Sequence, residues 1–375
     1  MSQNSTYIYY GTKCNTLELQ NFVKHTIQTN EQLEAKGQRK TPICIWGEHG
    51  IGKTQTVEAF AQENGYKFAY IAPAQFEEMG DLLGMPKISS KTNDERTVFV
   101  TPDWVPKEEG PGILLIDDVN RADDRILRGI MQLLQNYELI SWKMPAKWHI
   151  VLTANPDGGD YSVTPMDFAM LTRMMHVTLT FDVKRWAFWA EQNQIDPRGI
   201  DFVLTYPEVV TGERTTPRTL VQFFDNIINI KDLKKEIALV KMLADACLDT
   251  NTVTSFVSFV NQDLAKLISP DKIMDTKDFS KEVYDHIKSV VEQPTTKRVD
   301  ILSVIATRLV NYLNVSKSSF KAAQVENLKQ FINMDFLPND IRLITAQELM
   351  ACKNKTIQAS IFTDPKIGKL LLEKM

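Results

Sequence analysis

The chain runs to 375 residues, more than one hydrophobic core usually holds, so two or three domains are expected. Its composition, 43% hydrophobic and 24% charged, is that of an ordinary globular protein, and no apolar run approaches the roughly 20 residues needed to span a bilayer. A net charge of -4 speaks against a large nucleic-acid footprint, which shows as a basic excess. The polar start MSQNSTYIYYGTK has no signal-peptide core, and four scattered cysteines without a CxxC spacing read as reduced thiols of a cytoplasmic protein. The five histidines are equally scattered and suggest no zinc site.

In chain order, residues 16–37 place Leu17, Leu19, Phe22, Val23 and Ile27 on one side of a helix, with Asn15 as its cap. PICIW (42–46) is a short apolar run that fits a buried parallel strand. After the loop 47–52, KTQTVEAFAQENG (53–65) reads as a helix closed by Gly65. KFAYIA (67–72), GILLID (112–117), HIVLTAN (149–155) and HVTLTF (176–181) read as four further strands. Between them, Ile126, Ile130, Leu133, Leu134 and Tyr137 recur at helical spacing. The polar stretch ISSKTNDERT (88–97) is expected to be an exposed insertion loop. The pattern predicts an α/β fold, a parallel five-stranded sheet with helices on both faces.

Past residue 182 helical periodicity dominates, in 183–193, 217–230, 232–248, 252–268, 280–292, 299–314 and 320–334. Polar breaks at 269–278 and 292–298 suggest subdomain joints. Residues 295–330 hold six basic side chains (Lys297, Arg298, Arg308, Lys317, Lys321, Lys329) against Asp300 and Glu326. That local excess is either a basic face or a solvated helical surface.

Gly47, Glu48, His49, Gly50, Ile51, Gly52, Lys53 and Thr54 satisfy GxxxxGK(S/T), with Gln55 next in the helix. Glycines let successive backbone N–H groups turn inward and reach anionic oxygens. The helix that follows directs its positive end at the same place. Lys53 supplies a cation for the β- and γ-phosphates, and the Thr54 hydroxyl can ligate Mg²⁺. Such a loop between a strand and a helix points to a nucleotide's phosphates with Mg²⁺. ILLIDDVNRAD (113–123) ends a buried strand in two aspartates. Asp117 fits the carboxylate that holds the metal through its water shell, and Asp118 the one that polarises an attacking water. His49 occupies a variable position and reads as loop surface.

These stretches together resemble the MoxR-type AAA+ ATPases, over about residues 1–230. LLIDDVNRA resembles the family's Walker B segment and its continuation into Asn120-Arg121, and FEEMGDLLGMP (76–86) the segment before the helix-2 insertion. The resemblance implies that LTANP (152–156) is sensor 1, carried by Asn155. It also implies an arginine finger, Arg173, in PMDFAMLTRM (165–174), and sensor 2, Arg218, in GERTTPRTL (212–220). One position departs: the family usually has glutamate where Asp118 stands, one methylene longer, so hydrolysis here is expected to be slow or restricted to a switch.

The resemblance further implies ATP hydrolysis at the subunit interfaces of a homo-oligomeric ring, commonly a hexamer. Lys53, Thr54, Asp117, Asp118, Asn155 and Arg218 would act in cis and Arg173 in trans. It implies a chaperone-like remodeler, often with a von Willebrand factor A-domain partner; net charge and the lack of a long apolar run make a nucleic acid or membrane partner unexpected. The adenine contact would lie near YYGTK (9–13), where Tyr9 and Tyr10 are equally readable as apolar packing. The domains expected are a nucleotide-binding domain over 1–182, a helical lid over 183–295 and a C-terminal helical region over 296–375.

Overall fold

A computed structural model describes residues 10–89, 96–156, 163–264, 267–292, 298–316, 320–352 and 354–372. The chain divides into two compact units, Met1–Asp182 and Val183–Met375.

The first unit is built on a parallel sheet. Its strands are β1 (Thr12–Cys14), β2 (Ile43–Trp46), β3 (Lys67–Ile71), β6 (Gly112–Ile116), β7 (Trp148–Ala154) and β8 (Met175–Leu179), in spatial order β1-β8-β2-β7-β6-β3. All five expected strands are present. The sixth, β1, is three residues long and pairs with β8 in parallel, Thr12 opposite Val177. Its shortness and its polar sequence TKC left no periodic signal to read. Strands β2, β6 and β7 are buried at every residue, which is why they read as continuous apolar runs.

Helices cover both faces of the sheet. On one side α1 (Thr16–Ala35) and α2 (Lys53–Glu63) pack Leu19, Val23, Ile27, Val57 and Phe60 against Ile43, Ile45, Ile113, Leu115 and Val151. On the other, α4 (Asp124–Asn136) packs Ile126, Ile130 and Leu133 against Leu114, Ile116, Ile150 and Leu152. The two expected caps, Asn15 and Gly65, form. Asn15 and Glu18 make a reciprocal capping box at α1. Gly65 follows α2 with φ +70°. Asp123 caps α4 by accepting from the Ile126 N–H at 2.9 Å.

The two ends of the segment expected to be a polar insertion loop, residues 88–89 and 96–97, belong instead to strands of an antiparallel ribbon. After α3 (Met79–Leu83), β4 (Met85–Ser89) pairs with β5 (Arg96–Val100), and residues 90–95 lie outside the described structure. The polar composition of 88–97 obscured the pairing because Met85, Ile88, Val98 and Val100 face solvent and bury little. The entry to the ribbon requires glycine: Gly84 has φ +91°, and a Cβ there would lie 2.0 Å from the Val100 carbonyl oxygen.

The second unit is helical: α6 (Val183–Gln192), α7 (Pro197–Thr205), α8 (Pro217–Ile227), α9 (Ile237–Cys247), α10 (Thr250–Asn261), α11 (Pro270–Asp275), α12 (Asp285–Val291), α13 (Val299–Val315), α14 (Ala322–Ile332), α15 (Asn339–Met350), α16 (Lys355–Thr363) and α17 (Pro365–Leu372). Phe202, Phe223, Phe256 and Phe259 form an aromatic core in which Phe223 and Phe256 meet edge to face at 4.8 Å. The break at 269–278 is not an open joint. Helix α11 occupies it, with Pro270, Ile273 and Met274 buried, and Asn327 of α14 donates to the Met274 carbonyl at 2.9 Å. The other break expected, 292–298, falls largely on residues 293–297, outside the described structure.

Candidate functional site

Strand register brings the chemistry together. Trp46, the last residue of β2, lies opposite Ala154, so the loop starting at Gly47 emerges beside Asn155. Ile116 lies opposite Leu152, so Asp117 emerges beside Thr153. The three central strands β2, β7 and β6 thus deliver the loop, Asn155 and both aspartates to one end of the sheet. This is where open parallel sheets bind ligands.

The loop has the geometry of a phosphate cradle. Gly47, Gly50 and Gly52 have φ values of +153°, +72° and +93°, and Gly52 precedes the first residue of α2. A Cβ at Gly47 would stand 2.8 Å from the Leu179 carbonyl oxygen, so the loop closes only with glycine there. A Cβ at Gly52 would approach nothing nearer than Gln55 Oε1 at 3.9 Å, so at that position the backbone conformation, not space, demands glycine. The first-turn N–H groups of α2 have no upstream helical carbonyl to bond and face the loop's concave side. Glu48, His49 and Ile51 are half-buried loop residues, and Gln55 is exposed.

Lys53 is buried, and its ammonium donates to the Gly47 carbonyl at 2.7 Å, the Glu48 carbonyl at 3.0 Å and Asn155 Oδ1 at 3.1 Å. Thr54 Oγ1 donates to Asp117 Oδ1 at 2.8 Å. Asn155 Nδ2 donates to Asp118 Oδ1 at 3.0 Å. Asn155 therefore links the lysine of the loop to the second aspartate. Among the described residues no group of three or more His, Cys, Asp or Glu could hold a metal. That donor set, one hydroxyl beside one carboxylate, suits Mg²⁺, which favours substrate phosphates plus one or two protein groups over an all-protein cage.

Three residues of the network carry no signal in the sequence that names their role. Thr153 is fully buried; it donates to Asp117 Oδ1 at 2.6 Å and accepts from the Asp118 N–H at 2.8 Å. The only trace is a hydroxyl inside an apolar strand, two residues before Asn155. Tyr70 donates to Asp117 Oδ2 at 3.1 Å from the edge strand β3. Asn120, also fully buried, clasps the backbone of Asn155: its Nδ2 donates to the Asn155 carbonyl at 2.8 Å and its Oδ1 accepts the Asn155 N–H at 3.1 Å. Its neighbour Arg121 pairs with Asp118 Oδ2 at 3.3 Å.

Arg173 follows α5 (Phe168–Leu171), is half-buried, and donates to Gln135 Oε1 at 3.2 Å and to the Ala169 carbonyl. Arg218 is exposed in the first turn of α8, in the second unit. Tyr10 packs its ring on Trp46, centroids 4.6 Å apart, and on His176. Tyr9 lies outside the described residues. Two of the basic side chains of 295–330 are paired with acids. Arg298 pairs with Asp300 at 2.7 Å, and buried Arg308 pairs with Glu191 and Asp201 at 2.9 and 3.0 Å. Lys297 and Lys317 are outside the described residues.

Residues 42–174 match the family described as AAA domain (dynein-related subfamily). This segment is an AAA domain. Among solved structures, the chain is similar to the RuvB Holliday junction branch migration motor of Thermotoga maritima, with 14% identity over 83% of this chain and 94% of that one and a TM-score of 0.36. It is also similar to Hsp104 in its closed state with ATPγS and FITC-casein, with 15% identity over 59% of this chain and 46% of that one and a TM-score of 0.38. The AAA assignment rests on the matched segment, the strand order and the loop geometry rather than on these distant likenesses. Among the described residues, no helix is long and apolar enough to cross a membrane.

Proposed function

We propose that this protein is an ATP-hydrolysing AAA+ remodeler of the MoxR type, working as a homo-oligomeric ring on a partner protein. The observation that carries the reading is the connected set Lys53, Asn155, Asp118, Thr54 and Asp117 around the AAA domain's phosphate loop. The loop's N–H groups and Lys53 hold the β- and γ-phosphates, exchanging the lysine's bonds to loop carbonyls for bonds to phosphate oxygens. When bound, Mg²⁺ supplies charge neutralisation between those phosphates, held by Thr54 and, through water, by Asp117. Asp118 orients the attacking water, and Asn155 fixes that water relative to the γ-phosphate. Arg218 reports phosphate state to the helical lid over 183–295, and Arg173 completes a neighbouring subunit's site. A hexamer, a cytoplasmic setting and a von Willebrand factor A-domain partner belong to the same reading.

Phosphate release by the purified protein is the test. Wild type should turn over ATP, and Lys53→Ala should lose nucleotide affinity. Asp118→Asn should bind ATP yet release phosphate at least about 100-fold more slowly. Equal turnover in Asp118→Asn and wild type would remove the water-orienting role.

One observation favours a second reading, a nucleotide-gated binding module with little turnover. Both oxygens of Asp118 are engaged in cis, Oδ1 by Asn155 at 3.0 Å and Oδ2 by Arg121 at 3.3 Å. A carboxylate so held must release a partner before it can face a water. Tight ATP binding by wild type without phosphate release would select this reading. A DNA-driven motor draws no support from Arg298 and Arg308, whose charges are already paired; DNA-stimulated turnover at low salt would revive it.

A further inference from the structure

Asp117 is held at both ends of its carboxylate by hydroxyls from three different elements. Oδ1 accepts from Thr54 of α2 at 2.8 Å and from Thr153 of β7 at 2.6 Å, and Oδ2 accepts from Tyr70 of β3 at 3.1 Å. The three hydroxyls are not equivalent. Thr153 is fully buried and its oxygen is already engaged by the Asp118 N–H, so it is a fixed strut. Thr54 owes its oxygen to the metal. Tyr70 is 46% exposed, and its hydroxyl stands at the solvent end of the site.

The chemistry of a carboxylate that serves a cation through water requires a fixed plane. A metal-bound water donates along one lone pair, and partners of the ligating group commonly set its orientation. With Oδ1 alone restrained, the Asp117 carboxylate can swing about its Cβ–Cγ bond. Tyr70 closes that freedom from the opposite side. A phenolic hydroxyl has one proton and two lone pairs, so Tyr70 can donate to Asp117 and still accept from a water on its exposed side. Strand β3 presents it there because Ile71 pairs with Ile116 and the Asp117 N–H donates to the Ile71 carbonyl at 2.8 Å.

We propose that Tyr70 is a positioning residue for the divalent-cation side of the nucleotide site, fixing the plane of Asp117 and joining the outer water shell of the cation that enters with the phosphates. The proposal rests on the reading of Asp117 given above. It assigns to an edge-strand tyrosine, outside both the loop and the acidic strand end, control over how much Mg²⁺ the site needs.

The test measures affinity for a non-hydrolysable ATP analogue by calorimetry at a series of free Mg²⁺ concentrations and in EDTA. Wild type should bind more tightly as Mg²⁺ rises. Asp117→Asn should lose that gain. Tyr70→Phe keeps the ring, so it should bind as wild type does in EDTA and melt at the same temperature, while its half-point in Mg²⁺ moves about tenfold higher. An unchanged Mg²⁺ half-point in Tyr70→Phe, beside a lost gain in Asp117→Asn, would overturn the role of Tyr70 alone. No Mg²⁺ dependence in wild type, or none lost in Asp117→Asn, would overturn the reading of Asp117 itself. A weaker affinity of Tyr70→Phe in EDTA, with the Mg²⁺ half-point unmoved, would place Tyr70 in packing and also overturn the proposal.

Discussion

Asp118 sits at φ 47°, ψ 46°, in the left-handed region that aspartate and asparagine enter more readily than most residues. The shorter acid at this position thus has a backbone counterpart as well as a chemical one. Its side chain can also stand in for an Asn without moving the turn, which makes Asp118→Asn a clean variant for turnover. Asn120 is the residue whose sequence reading was most open and whose structural role is most definite. It satisfies both backbone groups of Asn155 from a fully buried position. Asn120→Ala leaves that buried donor and acceptor unpaired and should cost about 2–4 kcal/mol in denaturant unfolding. Asn120→Asp loses the donor and sets a buried charge against the Asn155 carbonyl, so it should be no more stable than alanine. An alanine variant as stable as wild type would show that Asn155 is held by other means.

At the scale of the element, β7 is where structure and site share one strand. Thr153 and Asn155 leave its end for the site, and His149 lies further back on the helix-α1 side, 1% exposed, with neither ring nitrogen hydrogen-bonded among the described residues. Burial, then the nearby Lys40 charge, pushes the His149 imidazole down to about 4 from an ordinary 6.5. A histidine with a lowered value favours the fold when neutral. Its contribution is fully present above pH 6.5 and is lost as pH falls toward 4, about 3 kcal/mol in all. His149→Leu should remove this slope and be at least as stable as wild type at pH 7, because an unsatisfied buried ring is replaced by an apolar group. Unfolding at pH 7, 5.5 and 4.5 checks it, and a variant with the wild-type slope would assign the slope to other groups. The ribbon β4–β5 teaches the opposite lesson about reading elements. Its pairing is made by backbone bonds across a register, and side chains that bury nothing leave no alternation to find.

At the scale of the whole molecule, the second unit carries a buried ionic centre. Arg308 of α13, 4% exposed, bridges Asp201 of α7 and Glu191 of α6. Burial raises the Asp201 carboxyl to about 6 in spite of the arginine beside it. Arg308→Met would strand two acids in the interior and should cost about 3–5 kcal/mol, read as faster hydrogen exchange in α7 and α13. Adding Asp201→Asn to that variant should recover part of the loss; no recovery would mean that packing of the arginine stem, not charge, is what was removed. Assembly is the second prediction at this scale. Arg173→Ala should bind ATP, hydrolyse it poorly, and depress turnover when mixed with wild-type protein. Additive activities across the mixing series would exclude a residue supplied between subunits.

The sequence by itself determined the central strands, the phosphate loop and the two aspartates. Each is a local feature: an apolar run of four to seven residues, a glycine spacing, an acid at a strand's end. Helix α1 and its Asn15 cap were legible for the same reason; that Glu18 closes a capping box came from the structure. Helices α7 and α11 were not legible: the buried positions of α7 are five consecutive residues, 199–203, rather than one helical face, and α11 is only six residues long. Only the tertiary structure decided what holds the site. Tyr70, Thr153 and Asn120 act through strand neighbours: β3 beside β6 for Tyr70, and β6 beside β7 for Thr153 and Asn120. Those neighbours are 47, 36 and 35 residues apart for the bonds Tyr70–Asp117, Thr153–Asp117 and Asn120–Asn155. No spacing rule links residues that far apart. Sheet order and register do, and both are set by which apolar faces pack together rather than by any motif at the site.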